Sequence, residues 1–278
     1  MHPKPTRRLI VLALVWSALA PVLAACTPSS ATGAGGVILA GSTSVQPFAE
    51  LLAEAYARQN PQEPVINIQG GGSTAGIEAV LSGTAHIGMS SRALREPELA
   101  QGLTELPIAY DAIAIVVHVD NPISALTSDQ VRRIFSGEVT NWSQLGGMDS
   151  SIHVVTREEG SGTRGAFEEL LMGGTRITDR ALRQDSNGAV RVIVNSDPAA
   201  IGYISLGIVG TFVKPVALDG VAPTAEAALA GEYRLVRPFI YVWQGELNPP
   251  ARRFVDYCLS PNAQAILADE GLIPVTGG

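Results

Sequence analysis

Three times in this chain a short apolar stretch runs into a turn of glycines and hydroxyl residues, and the turn opens onto a helical pattern. Val37 to Ala40 leads into Gly41-Ser42-Thr43-Ser44, after which Val45, Phe48, Leu51, Leu52, Ala55 and Tyr56 recur on a helical period, with Pro47 tolerated in the first turn. Pro64 to Gln69 leads into Gly70-Gly71-Gly72-Ser73-Thr74, and Ile77, Val80 and Leu81 then line one helical face. Ile152 to Thr156 leads into Arg157-Glu158-Glu159-Gly160-Ser161-Gly162-Thr163, ahead of Ala166, Phe167, Leu170 and Leu171. A repeated unit of strand, turn and helix points to an α/β protein and argues against a sandwich or a helical bundle.

The remaining elements fit that class. His86 to Met89, Val190 to Asn195 and Gly202 to Ser205 read as short strands, the last two around an Asp-Pro turn. A helix is expected from Ser128, with Val131, Ile134 and Phe135 inward, and others over Ala222 to Ala230 and Pro250 to Leu259. Ile108 to Val119 is a long apolar run suited to crossing between two lobes. About 240 residues of alternating pattern lie near the upper end for one domain, so two lobes are expected. No internal sequence repeat is evident.

Residues 1–25 stand apart. Lys4, Arg7 and Arg8 precede an apolar run from Leu9 to about Ala20, the pattern of an export signal. Leu23-Ala24-Ala25-Cys26 resembles the lipobox of bacterial lipoproteins, which implies cleavage before Cys26, lipidation of its thiol and a place on the extracytoplasmic face of the cell membrane. Residues 26–36, rich in Gly, Ala, Ser and Thr, read as a tether. Only Cys258 then remains as an internal cysteine; its neighbours Phe254, Val255 and Tyr257 point to a core position.

The chemistry follows from the turns. A helix N-terminus presents unpaired N–H groups and partial positive charge, and Ser or Thr hydroxyls add donors, so such a turn suits an oxyanion. Ordinary helix capping explains any one of these turns equally well. Ser42, Thr43 and Ser44, then Ser73 and Thr74, then Ser161, Gly162 and Thr163 would together form one anion site if the lobes face each other. Arg157 either adds a bidentate charged contact or forms a salt bridge at the mouth. The net charge of −7, which falls to −10 once Lys4, Arg7 and Arg8 are removed, counts against nucleic acid bound through a broad basic surface.

These stretches resemble the PstS-type phosphate-binding lipoproteins of bacterial ABC phosphate importers. The likeness rests on Gly41-Ser42-Thr43-Ser44-Val45 with Pro47 and Phe48, Gly70-Gly71-Gly72-Ser73 with Gly76-Ile77, and Ile87-Gly88-Met89-Ser90-Ser91-Arg92. It continues through Asp111, Arg157, Gly160-Ser161-Gly162-Thr163-Arg164 and Ala200-Ile201-Gly202-Tyr203. It implies a two-lobed α/β fold of the type II periplasmic-binding-protein kind, with lobes at 37–110 plus 216–278 and at 111–215, hinged near 110–115 and 205–220. It further implies inorganic phosphate as ligand, permease subunits as partners, a monomer and no cofactor. Thr43, Ser44, Ser73, Ser91, Arg92, Arg157, Ser161, Gly162 and Thr163 would meet the anion, with Ser42 capping or orienting. Ser91 stands where long family members carry an aspartate. Shorter members read Ser-Ser-Arg and carry an aspartate at the position matching Asp111, so the resemblance makes Asp111 the candidate acceptor of a phosphate proton, or else a structural cap or an arginine's partner near the hinge, and Arg92 either touches the anion or locks Asp111 and Arg157.

Competing classes have weaker support. The chain contains no Gly-x-x-x-x-Gly-Lys-Ser/Thr, Gly-x-Ser-x-Gly or His-Glu-x-x-His motif, and Lys214 is the one lysine beyond the leader, so an enzyme is not expected. His86, His118 and His153 are scattered and suggest no metal centre. Sulfate, molybdate or tungstate binding, and a sensing or envelope role without transport, remain open. Trp142, Tyr241 and Trp243 are read as packing residues or a partner contact.

Overall fold

The computed structural model describes residues 36–275. The leader, Cys26 and the tether up to residue 35 lie outside the described residues. Within them, two runs of alternating strand and helix build the molecule. The first comprises β1 (Val37–Gly41), α1 (Gln46–Gln59), β2 (Ile66–Gly70), α2 (Ser73–Leu81), β3 (Ile87–Ser90) and the single turn α3 (Glu96–Leu99). A 15-residue strand, β4 (Leu103–Val117), then carries the chain onward. The second run holds β5 (Ala125–Leu126), α4 (Ser128–Ser136), β6 (His153–Arg157), α5 (Gly162–Phe167), β7 (Leu182–Gln184), α6 (Asn187–Ser196) and β8 (Ala200–Ser205). After β9 (Lys214–Pro215), β10 (Ala217–Leu218) and α7 (Ala225–Leu229), β11 (Val236–Gln244) returns, followed by α8 (Pro249–Cys258), α9 (Pro261–Asp269) and β12 (Ile273–Pro274).

The strand order β2-β1-β3-β11-β4-β8-β6-β7 contains one pattern twice. In the first half β1 lies between its parallel neighbours β2 and β3, and β11 adds antiparallel to β3. In the second half β6 lies between its parallel neighbours β7 and β8, and β4 adds antiparallel to β8. Parallel neighbours need crossover connections, which the helices supply. The repetition that the sequence conceals is thus present in the topology, and β4 and β11 pair along their whole common length as the two strands linking the halves.

Each half has its own core. Val37, Leu39, Phe48, Leu52, Ile87, Ala109, Phe239 and Phe254 pack together in the first. Ala112, Ile113, Val131, Phe135, Trp142, Phe167, Tyr203 and Leu235 pack in the second. Val216, Leu218 and Tyr233 also belong to the second. We therefore propose lobe boundaries at residues 110–112 and 235–239, in place of the return at 215/216 and the second hinge at 205–220. Trp142, Tyr241 and Trp243 are all buried, as is Cys258, whose thiol burial pushes far above its ordinary range.

Two local expectations fail for identifiable reasons. Residues 190–195 form part of helix α6, not a strand. Ser186 caps it by accepting from the Ala189 N–H at 3.1 Å, while Val190 and Val194 are buried one turn apart and Val192 is exposed. The β-branched run suggested a strand, but the cap and the i, i+4 burial prevail. Leu170, which the helical period groups with Ala166, Phe167 and Leu171 on one face, is exposed while those three are buried. The helix after α5 widens into a π-helical turn at Glu168–Met172, where the Gly173 N–H reaches the Glu168 carbonyl, and Met172 is buried instead.

Candidate anion site between the lobes

The three turns meet. Ser42 is buried and its Oγ accepts from the N–H groups of Ser44 (3.2 Å) and Val45 (3.4 Å), so it orders the first turn. The second turn is tied to the first by the Gly72 N–H donating to the Gly41 carbonyl at 2.9 Å, with Gly71 and Gly72 at φ of +153° and +93°, a region glycine tolerates best. Ser73 opens α2 and its Oγ accepts from the Ser91 N–H at 3.1 Å; the Ser73 and Ser91 hydroxyls lie 3.4 Å apart. In the third turn Ser161 caps α5 by accepting from the Arg164 N–H at 3.2 Å.

Contacts between the lobes show the convergence that spacing alone does not. The hydroxyls of Ser44 and Thr163 are 2.7 Å apart, and the Thr74 N–H donates to the Gly160 carbonyl at 3.1 Å. Gly162 faces Ser73 and Ser91 so closely that an added Cβ would overlap Ser73 Oγ and sit 2.6 Å from Ser91 Oγ. Ser44, Ser73, Ser91, Ser161, Gly162 and Thr163 are all buried, and Thr43 is half-buried at the rim.

The charged residues divide between this cluster and its supports. Arg157 is buried, held through Nε (2.9 Å) and Nη2 (2.8 Å) by Glu158 and through the carbonyls of Gln184 and Asp185. Its Nη1 is buried without a hydrogen-bond partner among the described residues. Tyr203 fixes the strand beneath, its hydroxyl 2.7 Å from Thr156 Oγ1 and accepting from the Arg157 N–H at 3.3 Å; burial pushes its phenol up to about 12. Arg92 Nη1 and Nη2 each donate to Glu98 at 2.7 Å, while its Nε, like Arg157 Nη1, is buried without a hydrogen-bond partner among the described residues. It bonds neither Asp111 nor Arg157 among the described residues. Burial works against the Glu98 carboxylate, yet Arg92 and the Arg95 N–H hold it below its ordinary range.

Asp111 pairs with Arg237, a residue that sequence reasoning missed. The two stand opposite each other on β4 and β11, at the point where both strands leave one core for the other. Asp111 Oδ2 accepts from Arg237 Nε (3.1 Å) and Nη2 (2.8 Å), while Oδ1 accepts from Ser205 Oγ (2.7 Å). Burial pushes the Asp111 carboxyl above its ordinary range and Arg237 opposes that. With three donors already on it, the carboxylate keeps about one acceptor position for an anion's proton in this conformation. Asn187 is the second missed residue. It opens α6, and its Nδ2 donates to Ser44 Oγ at 2.7 Å and to Thr43 Oγ1 at 3.3 Å on the facing lobe. Arg237 had a sequence signal, a lone cation between apolar residues Val236 and Phe239; Asn187 had only Ser186 before it as a helix cap.

The comparisons with known proteins agree with this geometry. A family model described as the PBP superfamily domain matches residues 27–262. The phosphate-binding protein PstS of Bacillus subtilis (strain 168) is 32% identical over 284 residues, covering 96% of this chain and 94% of its own. The chain belongs to the PstS family. Within that family, PstS of Pseudomonas aeruginosa is 31% identical over 87% of this chain and 83% of its own. Among solved structures, a putative phosphate ABC transporter substrate-binding protein with bound phosphate from Clostridium perfringens has a TM-score of 0.84 at 41% identity, covering 87% of this chain and all of that one. An ABC-type phosphate transport receptor from Vibrio cholerae has a TM-score of 0.70 at 37% identity, over 85% and 99% of the two chains. The PstS relationship therefore includes the two-lobed periplasmic-binding-protein architecture expected from the sequence.

Proposed function

We propose that this chain captures inorganic phosphate between its lobes and delivers it to an ABC importer through permease subunits. The observation that carries the reading is Arg157 Nη1, a buried cationic donor with no protein partner beside three converging hydroxyl turns. Buried polar groups are nearly always bonded, and an anion oxygen would complete this one. Arg157 also bears on Arg237, whose guanidinium is pushed below its ordinary range by burial first and by the Arg157 charge among its lesser causes; an anion nearby would relieve that repulsion. Thr43, Ser73, Ser91, Ser161, Gly162 and Thr163 supply the remaining contacts in this reading, and Ser44 acts through Thr163. Asp111 acts as a support clamped by Arg237, and Arg92, held by Glu98, offers its buried Nε as a further donor.

Relatives named for phosphate favour phosphate over sulfate, molybdate or tungstate. The role is binding and delivery by a monomer without catalysis or cofactor. Replacing Arg157 by Ala should weaken phosphate about tenfold to a hundredfold, as expected for a lost charged hydrogen bond. Calorimetry checks this, and affinity equal to wild type would put Arg157 outside the contact shell.

The anchor proposed is a lipid on Cys26. No helix among the described residues is long and apolar enough to cross a membrane. Cys26→Ser should move the protein from the membrane to the soluble fraction of cells that express it; retention with the membrane would overturn the anchor.

A further inference from the structure

The hydroxyl pair that bridges the lobes has a direction, and its neighbours set it. Ser44 Oγ has two lone pairs and one hydrogen. Arg237 Nη2, which can only donate, lies 3.2 Å from it, and Asn187 Nδ2 lies 2.7 Å from it. The Asn187 amide cannot be turned around without loss, because its Oδ1 accepts the Ser205 N–H at 3.3 Å and a backbone N–H is an obligatory donor. Both lone pairs of Ser44 are therefore filled by donors. Its hydrogen is left for Thr163 Oγ1, 2.7 Å away on the other lobe. Thr163 then accepts from Ser44, and its own hydrogen has no protein acceptor among the described residues although the side chain is 1% exposed.

We propose that Asn187 is a positioning residue for anion capture: together with Arg237 it polarises the Ser44 hydroxyl toward Thr163, so that the Thr163 hydroxyl donates into the cleft. The inference rests on the phosphate-binding reading above and adds to it a residue that acts through another. The network closes on itself, since Asn187 Oδ1 takes the Ser205 N–H, Ser205 Oγ donates to Asp111, and Asp111 holds Arg237, which returns to Ser44. Its members come from both lobes and both linking strands. Because Asn187 reaches Thr43 and Ser44 across the cleft, these bonds exist only when the lobes are closed, and closure itself aligns the donors.

The test uses Asn187→Asp, which keeps an acceptor for the Ser205 N–H but replaces the Nδ2 donor with a second acceptor. Phosphate affinity is measured by calorimetry on wild type, Asn187→Asp, Asn187→Ala, Ser44→Ala and the Ser44→Ala/Asn187→Ala double variant. Asn187→Asp should weaken phosphate by about tenfold or more at neutral pH. Relative to wild type it should recover as the pH falls and the new carboxyl regains a proton to donate. Asp111 and Arg237, the other ionisable members of the network, are common to both proteins, so the ratio isolates position 187. Once Ser44 is Ala, Asn187→Ala should cost little further affinity. Equal affinity of Asn187→Asp and wild type, an affinity ratio independent of pH, or additive losses in the double variant would each overturn the inference. Failure of wild type itself to bind phosphate would instead overturn the functional reading.

Discussion

Gly162→Ala should leave the unliganded protein folded and remove most of its phosphate affinity. The added Cβ would overlap Ser73 Oγ and sit 2.6 Å from Ser91 Oγ, and both hydroxyls belong to the opposite lobe. In an opened molecule that methyl meets nothing from the facing lobe, so the penalty falls on closure alone. Forced overpacking costs about 1–3 kcal/mol, and the closeness of these contacts places this case at the upper end, a loss of about a hundredfold. Gly165→Ala is the control, because its Cβ would find Arg92 Cδ at 3.4 Å and Arg95 Nη2 at 3.7 Å, ordinary contact distances. Its affinity should stay within about twofold of wild type, since the new contacts need no shift. Thermal melting without ligand separates the two effects. An affinity for Gly162→Ala equal to that of Gly165→Ala would mean the described closed contact is not the binding conformation.

Arg237→Leu carries the largest expected stability effect. It leaves Asp111, wholly buried, without its counter-charge, a change worth about 3–5 kcal/mol at neutral pH. The pH dependence has a definite sign. A carboxyl whose folded pKa is raised above its ordinary value of 3.8 holds a proton more tightly when folded, so stability declines as pH rises through the folded value. Arg237→Leu should therefore recover part of its stability in acid. Adding Asp111→Asn to Arg237→Leu should restore part of it at neutral pH, because an amide leaves no buried charge. Denaturant titration of the single and double variants reads both effects; a single variant as stable as wild type at neutral pH would show that the pair carries no such weight.

Much of the site was legible before the fold was known because each turn is local. Glycine at positive φ, a hydroxyl cap and the helical period that follows lie within a few residues of one another, as at Gly72-Ser73 and Ser161-Gly162. What spacing does not contain is which turn meets which. Ser44 and Thr163 are 119 residues apart, and their contact is set by the way β4 and β11 link the two halves of the sheet. Arg237 escaped notice for that reason: its meaning depends on register with Asp111, 126 residues earlier. Asp111 was readable as an anion's acceptor, a structural cap or an arginine's partner, and in the structure it lies against Arg237. Asn187 was hidden by a misread element, since a strand beginning at Val190 gives residue 187 no reason to face the cleft. Once α6 is a helix capped by Ser186, Asn187 stands at its first turn, opposite Thr43 and Ser44.

The central claim, one closed cleft selecting phosphate, is tested most directly by calorimetric titration of residues 27–278 stripped of bound anion, with phosphate, sulfate and arsenate compared at neutral pH. The described residues, 36–275, all lie within this span. The account predicts phosphate binding at micromolar concentration or tighter, competition by arsenate and little response to sulfate. Sulfate bound as tightly as phosphate, or no phosphate binding by either heat or displacement of a labelled anion, would contradict it.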